Sequence, residues 1–329
     1  MNTSKTEKDW LRRISAGKQP ESKNPAPTGE EQDSSHISPS APSKKGNGFA
    51  DIAGMNDLKQ RVTEGFINVL RNSDIAAAYG ITPPSMLFYG PAGCGKTFFA
   101  EKMAEELGIN FMKVAPDDIA STWVHGTQQK IGEVFRKAER QGPTLLFFDE
   151  FDAMVSHRSG DVNFRHYDSE VNEFLCMLNN AQERGVYVLA ATNHPERIDR
   201  AVLRTGRIDE MVYVDMPDSE SRKSLFELAL SKLPSEEGID FDRLASLTAG
   251  YNCSDIAYIV KSAARTAFNE AVAEKLSVPK AISQKLLEKI ISSKSPSVTG
   301  KDLREYERVR SEMSPKDAAT HHSRMGFRG

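Results

Sequence analysis

The sequence predicts an α/β fold, a parallel β-sheet wrapped by helices and followed by a small all-helical domain. Three observations carry the prediction. Short apolar runs alternate with helical stretches from residue 48 to about 218. Several of those runs lack polar alternation, as strands covered on both faces require. After Pro217 the strand signals stop and only helical periodicity continues. The predicted strands are Ser85–Tyr89, Phe111–Val114, Leu145–Phe148, Tyr187–Ala191 and Met211–Val214, with helices between them, including Thr97–Leu107 and Gln128–Arg140. The helical domain, 219–312, is expected to hold helices over Ser219–Ser231, Asp242–Thr248, Ser254–Ala273 and Pro279–Ser292. Ile256, Ile259, Val260, Ala263 and Ala267 fall on one helix face. Thr299-Gly-Lys-Asp302 has the form of a capping box opening a last helix through Val309.

Residues 1–47 read as a disordered tail and tether, because the stretch from 16 onward is rich in Ser, Pro, Gly, Lys and Glu and poor in large apolar side chains. Trp10, Leu11 and Ile14 sit at helical spacing and fit either a short docking helix or a chance cluster in a disordered end. Residues 313–329 read as a second disordered tail.

Bulk properties narrow the function. The 329 residues suffice for two domains with sizeable cores. A formal charge of −3 with interleaved signs argues against a nucleic-acid partner. Three widely spaced cysteines fit a reducing compartment, by default the cytoplasm. No apolar run reaches the ~20 residues that span a bilayer, so no membrane partner is expected.

Gly90-Pro91-Ala92-Gly93-Cys94-Gly95-Lys96-Thr97 follows a predicted strand and opens a predicted helix. This pattern lets backbone N–H groups curl around phosphate oxygens at a helix N-terminus. Alone the match is only suggestive; together with the carboxylate, Asn193 and arginine segments that follow, it specifies a P-loop NTPase sheet that takes ATP with Mg²⁺, Lys96 contacting phosphates and Thr97 ligating the metal. Asp149 and Glu150 end a buried strand, where adjacent carboxylates are costly unless a cation satisfies one. Asp149 is accordingly the second metal residue, and Glu150 the group that polarises the attacking water. Asn193 follows the fourth strand, as a turn residue or as a holder of water or γ-phosphate. Arg204 and Arg207 flank Gly206, which implies a bend turning both guanidinium groups outward.

Taken in order, these segments resemble the AAA family of ATPases, from Phe49 through the Arg304 region. The resemblance implies an ATP hydrolase that assembles into a homo-hexameric ring and unfolds, threads or disassembles protein substrates, with a separate protease or adaptor as a further partner. It places Asp51, Ile52 and Ala53 in the adenine pocket and adds Phe98 to the nucleotide-binding loop. Leu225, Ala229, Cys253 and Ser254 become adenine contacts of a lid domain. Asn193 becomes a sensor, and Arg204 and Arg207 become fingers acting on a neighbour's nucleotide. The segment Ser121–Gly126 is similar to a first pore loop, in which Trp123 and Val124 grip substrate; burial of Trp123 under the next helix is the alternative. Ser156–His166, with Phe164, is a second candidate loop. His125, Cys253, Ala229 and Cys94 differ from the residues usual at these places, and Cys94 at a helix N-terminus beside Lys96 is expected to be a reactive thiol whose modification blocks ATP binding. Competing readings are a nucleotide-switched scaffold or loader, and a DNA-acting relative. A metabolic P-loop kinase has no use for the paired arginines. The chain carries no H-E-x-x-H zinc motif.

Overall fold

The computed structural model describes residues 46–119, 126–155, 174–199, 201–203 and 206–313. The expectations for 1–45 and 314–329, for Trp123 and Val124, for Ser156–His166 and for Arg204 therefore lie outside the described residues.

Five strands form one parallel sheet: β1 (Met86–Tyr89), β2 (Asn110–Val114), β3 (Thr144–Phe148), β4 (Val186–Thr192) and β5 (Glu210–Tyr213), in the order β2-β3-β4-β1-β5. Each lies within a residue or two of its predicted range. The described helices of seven residues or more are α1 (Asn56–Val62), α2 (Lys96–Leu107), α3 (Gly126–Arg140), α4 (Ser219–Leu230), α5 (Phe241–Leu247), α6 (Cys253–Ala273), α7 (Gln284–Ser293) and α8 (Gly300–Met313).

The unbroken apolar strands are explained by two cores, one on each face of the sheet. Leu87, Leu146, Phe148, Val188 and Ala190 join Ile131, Val134 and Phe135 of α3 on one side. Their immediate neighbours Met86, Phe88, Leu145, Phe147 and Leu189 join Phe99, Ala100 and Met103 of α2 on the other. Successive strand residues point to opposite faces, so a strand covered on both must be apolar throughout.

This order brings three loops to one sheet edge. The chain leaves β1, crosses β4 and β3 to reach the far edge, works back through β3 and β4, and ends on the other side of β1. Tyr89 is in register with Thr192, and Phe148 with Ala190. The segments starting at Gly90, Asp149 and Asn193 thus leave the carboxyl ends of adjacent strands, the place where open α/β sheets hold ligands.

The helical region has its own core of Phe226, Leu230, Leu244, Ile256, Ile259, Val260 and Leu287. Helix α7 starts five residues later than the sequence predicts. Ile282 is instead extended and pairs with Ser235, its N–H donating to Pro234 O at 2.8 Å and its carbonyl accepting from Glu236 N at 3.0 Å. Ser283 then caps α7, accepting from Leu286 N. Tertiary pairing had satisfied the backbone groups that a longer helix would have used. Thr299 and Asp302 do form the predicted reciprocal cap of α8.

Candidate nucleotide site

The loop between β1 and α2 is shaped by close approaches. A Cβ on Gly90 would lie 2.3 Å from Val214 O, and one on Gly93, where φ is +76°, would lie 2.5 Å from Asn252 Nδ2. Only a bare backbone fits either place. Lys96 is 8% exposed, and its Nζ donates to Gly90 O and Pro91 O, each at 2.8 Å. Burial pulls its pKa down to about 8, offset in part by the fields of Cys94 and Asp149. A buried ammonium held only by carbonyl dipoles in the loop itself is a natural partner for an anion.

Thr97 Oγ1 donates to Asp149 Oδ2 at 3.0 Å, joining the start of α2 to the end of β3. The same oxygen is 2.7 Å from Lys113 Nζ, an ion pair that sequence reasoning missed. Asp149 Oδ1 accepts from Glu150 N at 3.1 Å. Glu150 is exposed and adopts φ +49°, an unusual conformation for a residue with a Cβ. The next turn is anchored by Asp152, whose Oδ1 accepts from Thr192 Oγ1 at 2.5 Å, tying the segment after Glu150 to the end of β4. Asn193 is half-buried just beyond that contact.

The helical region covers the loop through the start of α6. Asn252 Nδ2 donates to Ala92 O at 3.0 Å, Ser254 N donates to Gly93 O at 3.0 Å, and Cys253 Sγ lies 3.7 Å from Cys94 O. Asn252 also caps α6 in a reciprocal box with Asp255. The family resemblance singled out Cys253 and Ser254, whereas the side chain that spans the gap is Asn252. Leu225 and Ala229 are half-buried against the core of the helical region.

Other expected residues are engaged differently. Asp51 accepts from Lys102 Nζ at 2.8 Å and Asn47 Nδ2 at 3.0 Å, and the Lys102 bond is the main reason its carboxyl sits below the usual range. Ile52 is buried in the α2-side core, Ala53 is half-buried, and Phe98 is exposed with Lys102 Nζ 5.6 Å from its ring centre. Arg207 does not point freely outward as expected. It is half-buried, and Nη1 donates to Ala201 O at 2.6 Å, because the bend at Gly206 folds the chain back on itself.

Cys94 also corrects the sequence reading. It is fully buried, and burial pushes its thiol up to about 12, outweighing the favourable field of Lys96. Cys253 is pushed up to about 11 for the same reason. Loss of solvation defeats thiolate formation at this helix N-terminus.

Among the described residues, no three His, Cys, Asp or Glu side chains converge on a metal position, and no helix is long and apolar enough to cross a membrane. The donors at hand suit a phosphate-bridged cation nonetheless. Mg²⁺ commonly takes one or two protein oxygens and completes its shell with phosphates and water. Asp149 Oδ2 with Thr97 Oγ1 is such a pair, and it already attracts an ammonium.

Comparison with known proteins agrees with this geometry. Residues 86–216 match the model of the ATPase family associated with various cellular activities, and residues 238–278 match the AAA+ lid domain. Over 271 residues the chain is 32% identical to the Cell division cycle protein 48 homolog of Archaeoglobus fulgidus, an alignment covering 79% of this chain and 37% of that protein. The chain thus spans little more than a third of the length of this curated relative. With a P-loop sheet, a helical lid over its phosphate loop and both family models matched in order, the chain belongs to the AAA family of ATPases.

Proposed function

We propose that this ATPase is a ring-forming, Mg²⁺-dependent machine that remodels protein substrates in the cytoplasm. The observation that carries the reading is the convergence of Lys96, Thr97 and Asp149 at one sheet edge beneath the start of α6. Lys96 would exchange its two carbonyl partners for the β and γ phosphates of ATP. Thr97 and Asp149 would hold Mg²⁺, which when bound neutralises charge that develops on the transferred phosphoryl group. Glu150 is exposed beside them and would take the proton of the attacking water, with Asn193 positioning that water. Segment 90–98 would wrap the phosphates. Asp51, Ile52, Ala53, Leu225, Ala229, Cys253 and Ser254 would bound the base, the α6 residues doing so by closing on the loop.

Arg207, and Arg204 with it, would complete a neighbour's site rather than their own. A finger supplied in trans raises phosphoryl-transfer rates by roughly 10³ to 10⁵. Giving fingers to one neighbour and receiving them from another is a head-to-tail contact that closes as a ring, for which the family suggests six subunits. For a protein substrate drawn through such a ring, Trp123 and Val124 would be the gripping residues.

Hydrolysis per subunit, measured against protein concentration, tests the proposal. A steep rise is expected, because an isolated subunit lacks its neighbour's arginines. A high rate independent of concentration would overturn the assembly reading. A rate near zero throughout would favour a nucleotide-switched scaffold that needs a further partner.

A further inference from the structure

Lys113 stands on the edge strand β2, between the buried residues Met112 and Val114. It is in register with Phe147 of β3. Asp149 lies two residues beyond Phe147 and so faces the same side of the sheet. Lys113 Nζ reaches Asp149 Oδ2 at 2.7 Å, on the very oxygen that accepts from Thr97 Oγ1. The Lys113 side chain is 47% exposed and that of Asp149 23%. A lysine with a flexible, half-solvated stem can swing away at little cost. Ion pairs this exposed contribute at most about 1 kcal/mol. A contact this weak can yield to a divalent cation.

We propose that Lys113 is a positioning residue that takes the metal's seat. In the nucleotide-free chain it neutralises Asp149 and keeps it turned toward Thr97. It vacates Oδ2 when nucleotide and its divalent cation are held, so it competes with that cation and raises the concentration of Mg²⁺ needed to load the site. The proposal rests on the reading in which Asp149 and Thr97 form the Mg²⁺ position.

The test follows binding of a fluorescent ATP analogue to the full chain as Mg²⁺ is titrated. K113M removes the charge and keeps the apolar stem, K113R keeps the charge, and D149N reports on the position itself. Thermal unfolding confirms that each variant is folded. Wild type should bind more tightly as Mg²⁺ rises. K113M should reach its half-maximal gain at a Mg²⁺ concentration about three- to fivefold lower, the ratio corresponding to less than 1 kcal/mol, and K113R should keep the wild-type midpoint. A K113M midpoint equal to or above wild type would overturn the role of Lys113 while leaving the metal position intact. If wild type does not respond to Mg²⁺, or responds as D149N does, the assignment of Asp149 has failed and the proposal falls with it.

Discussion

Asn252, the residue that caps the first turn of α6, donates its side-chain amide to Ala92 O in the phosphate loop at 3.0 Å. One side chain thereby closes the lid helix and fastens it to the loop, with Asn252 Oδ1 accepting from Asp255 N at 2.8 Å on the helix side. Replacement by alanine should lose both bonds and cost about 1–2 kcal/mol of stability in chemical denaturation. Asn252→Ser retains a good cap without the reach to Ala92. It should keep most of the stability yet bind nucleotide more weakly than wild type in an equilibrium titration, which separates the two roles.

Gly93→Ala tests the other side of the same contact. Its Cβ would meet Asn252 Nδ2 at 2.5 Å, and φ at Gly93 is +76°. The left-handed conformation alone costs roughly 1–2 kcal/mol for a residue with a Cβ. The single variant should lose more than that, and the double variant Gly93→Ala/Asn252→Ala should be less destabilised than the sum of the singles. Strict additivity in a double-mutant cycle would show that the two residues do not press on one another.

Glu150, proposed above to act on the attacking water, should separate stability from turnover. Because it holds φ +49°, Glu150→Gly should leave thermal stability equal or slightly raised, by up to about 1 kcal/mol, while hydrolysis collapses. Glu150→Gln should bind ATP normally and lose at least about 10²-fold in kcat, the usual scale for a missing general base. Substantial residual turnover in either variant would move the base elsewhere.

Acid should loosen the lid through Asp255. This carboxylate is 2% exposed, and although burial pushes its pKa up, hydrogen bonds from Lys294, Ser297 and Asn252 bring it below the ordinary value of 3.8. A folded-state pKa below the unfolded one contributes stability that is present above the unfolded value and lost as pH falls through the folded one. Denaturation profiles between about pH 2 and 6 should therefore slope downward toward acid in wild type and less so in Asp255→Asn, which should also cost on the order of 1–3 kcal/mol near neutrality.

Alkylation should follow exposure. Cys176 is exposed, whereas Cys94 is buried with its thiol pushed up to about 12 and Cys253 to about 11. Native protein treated with a small alkylating reagent at neutral pH should label at Cys176 first, with nucleotide affinity unchanged. Rapid labelling of Cys94, read by peptide mass, would show that the loop opens far more than its packing allows.

The residue order by itself determined the strands, their coverage on both faces, the phosphate loop and the paired carboxylates. Each is a local signal: an unbroken, Phe-rich apolar run such as Leu145–Phe148 fits a strand covered on both faces, and Gly90–Thr97 states its backbone requirements in glycines. Tertiary structure decided what side chains distant in sequence do to one another. Lys113 on Asp149, Asp152 on Thr192 and Asn252 on Ala92 are separated by tens of residues or more, and no periodicity encodes them. Cys94 shows the same division from the other side. Its position at a helix start was legible, but its chemistry is set by desolvation, which depends on what the rest of the chain packs around it.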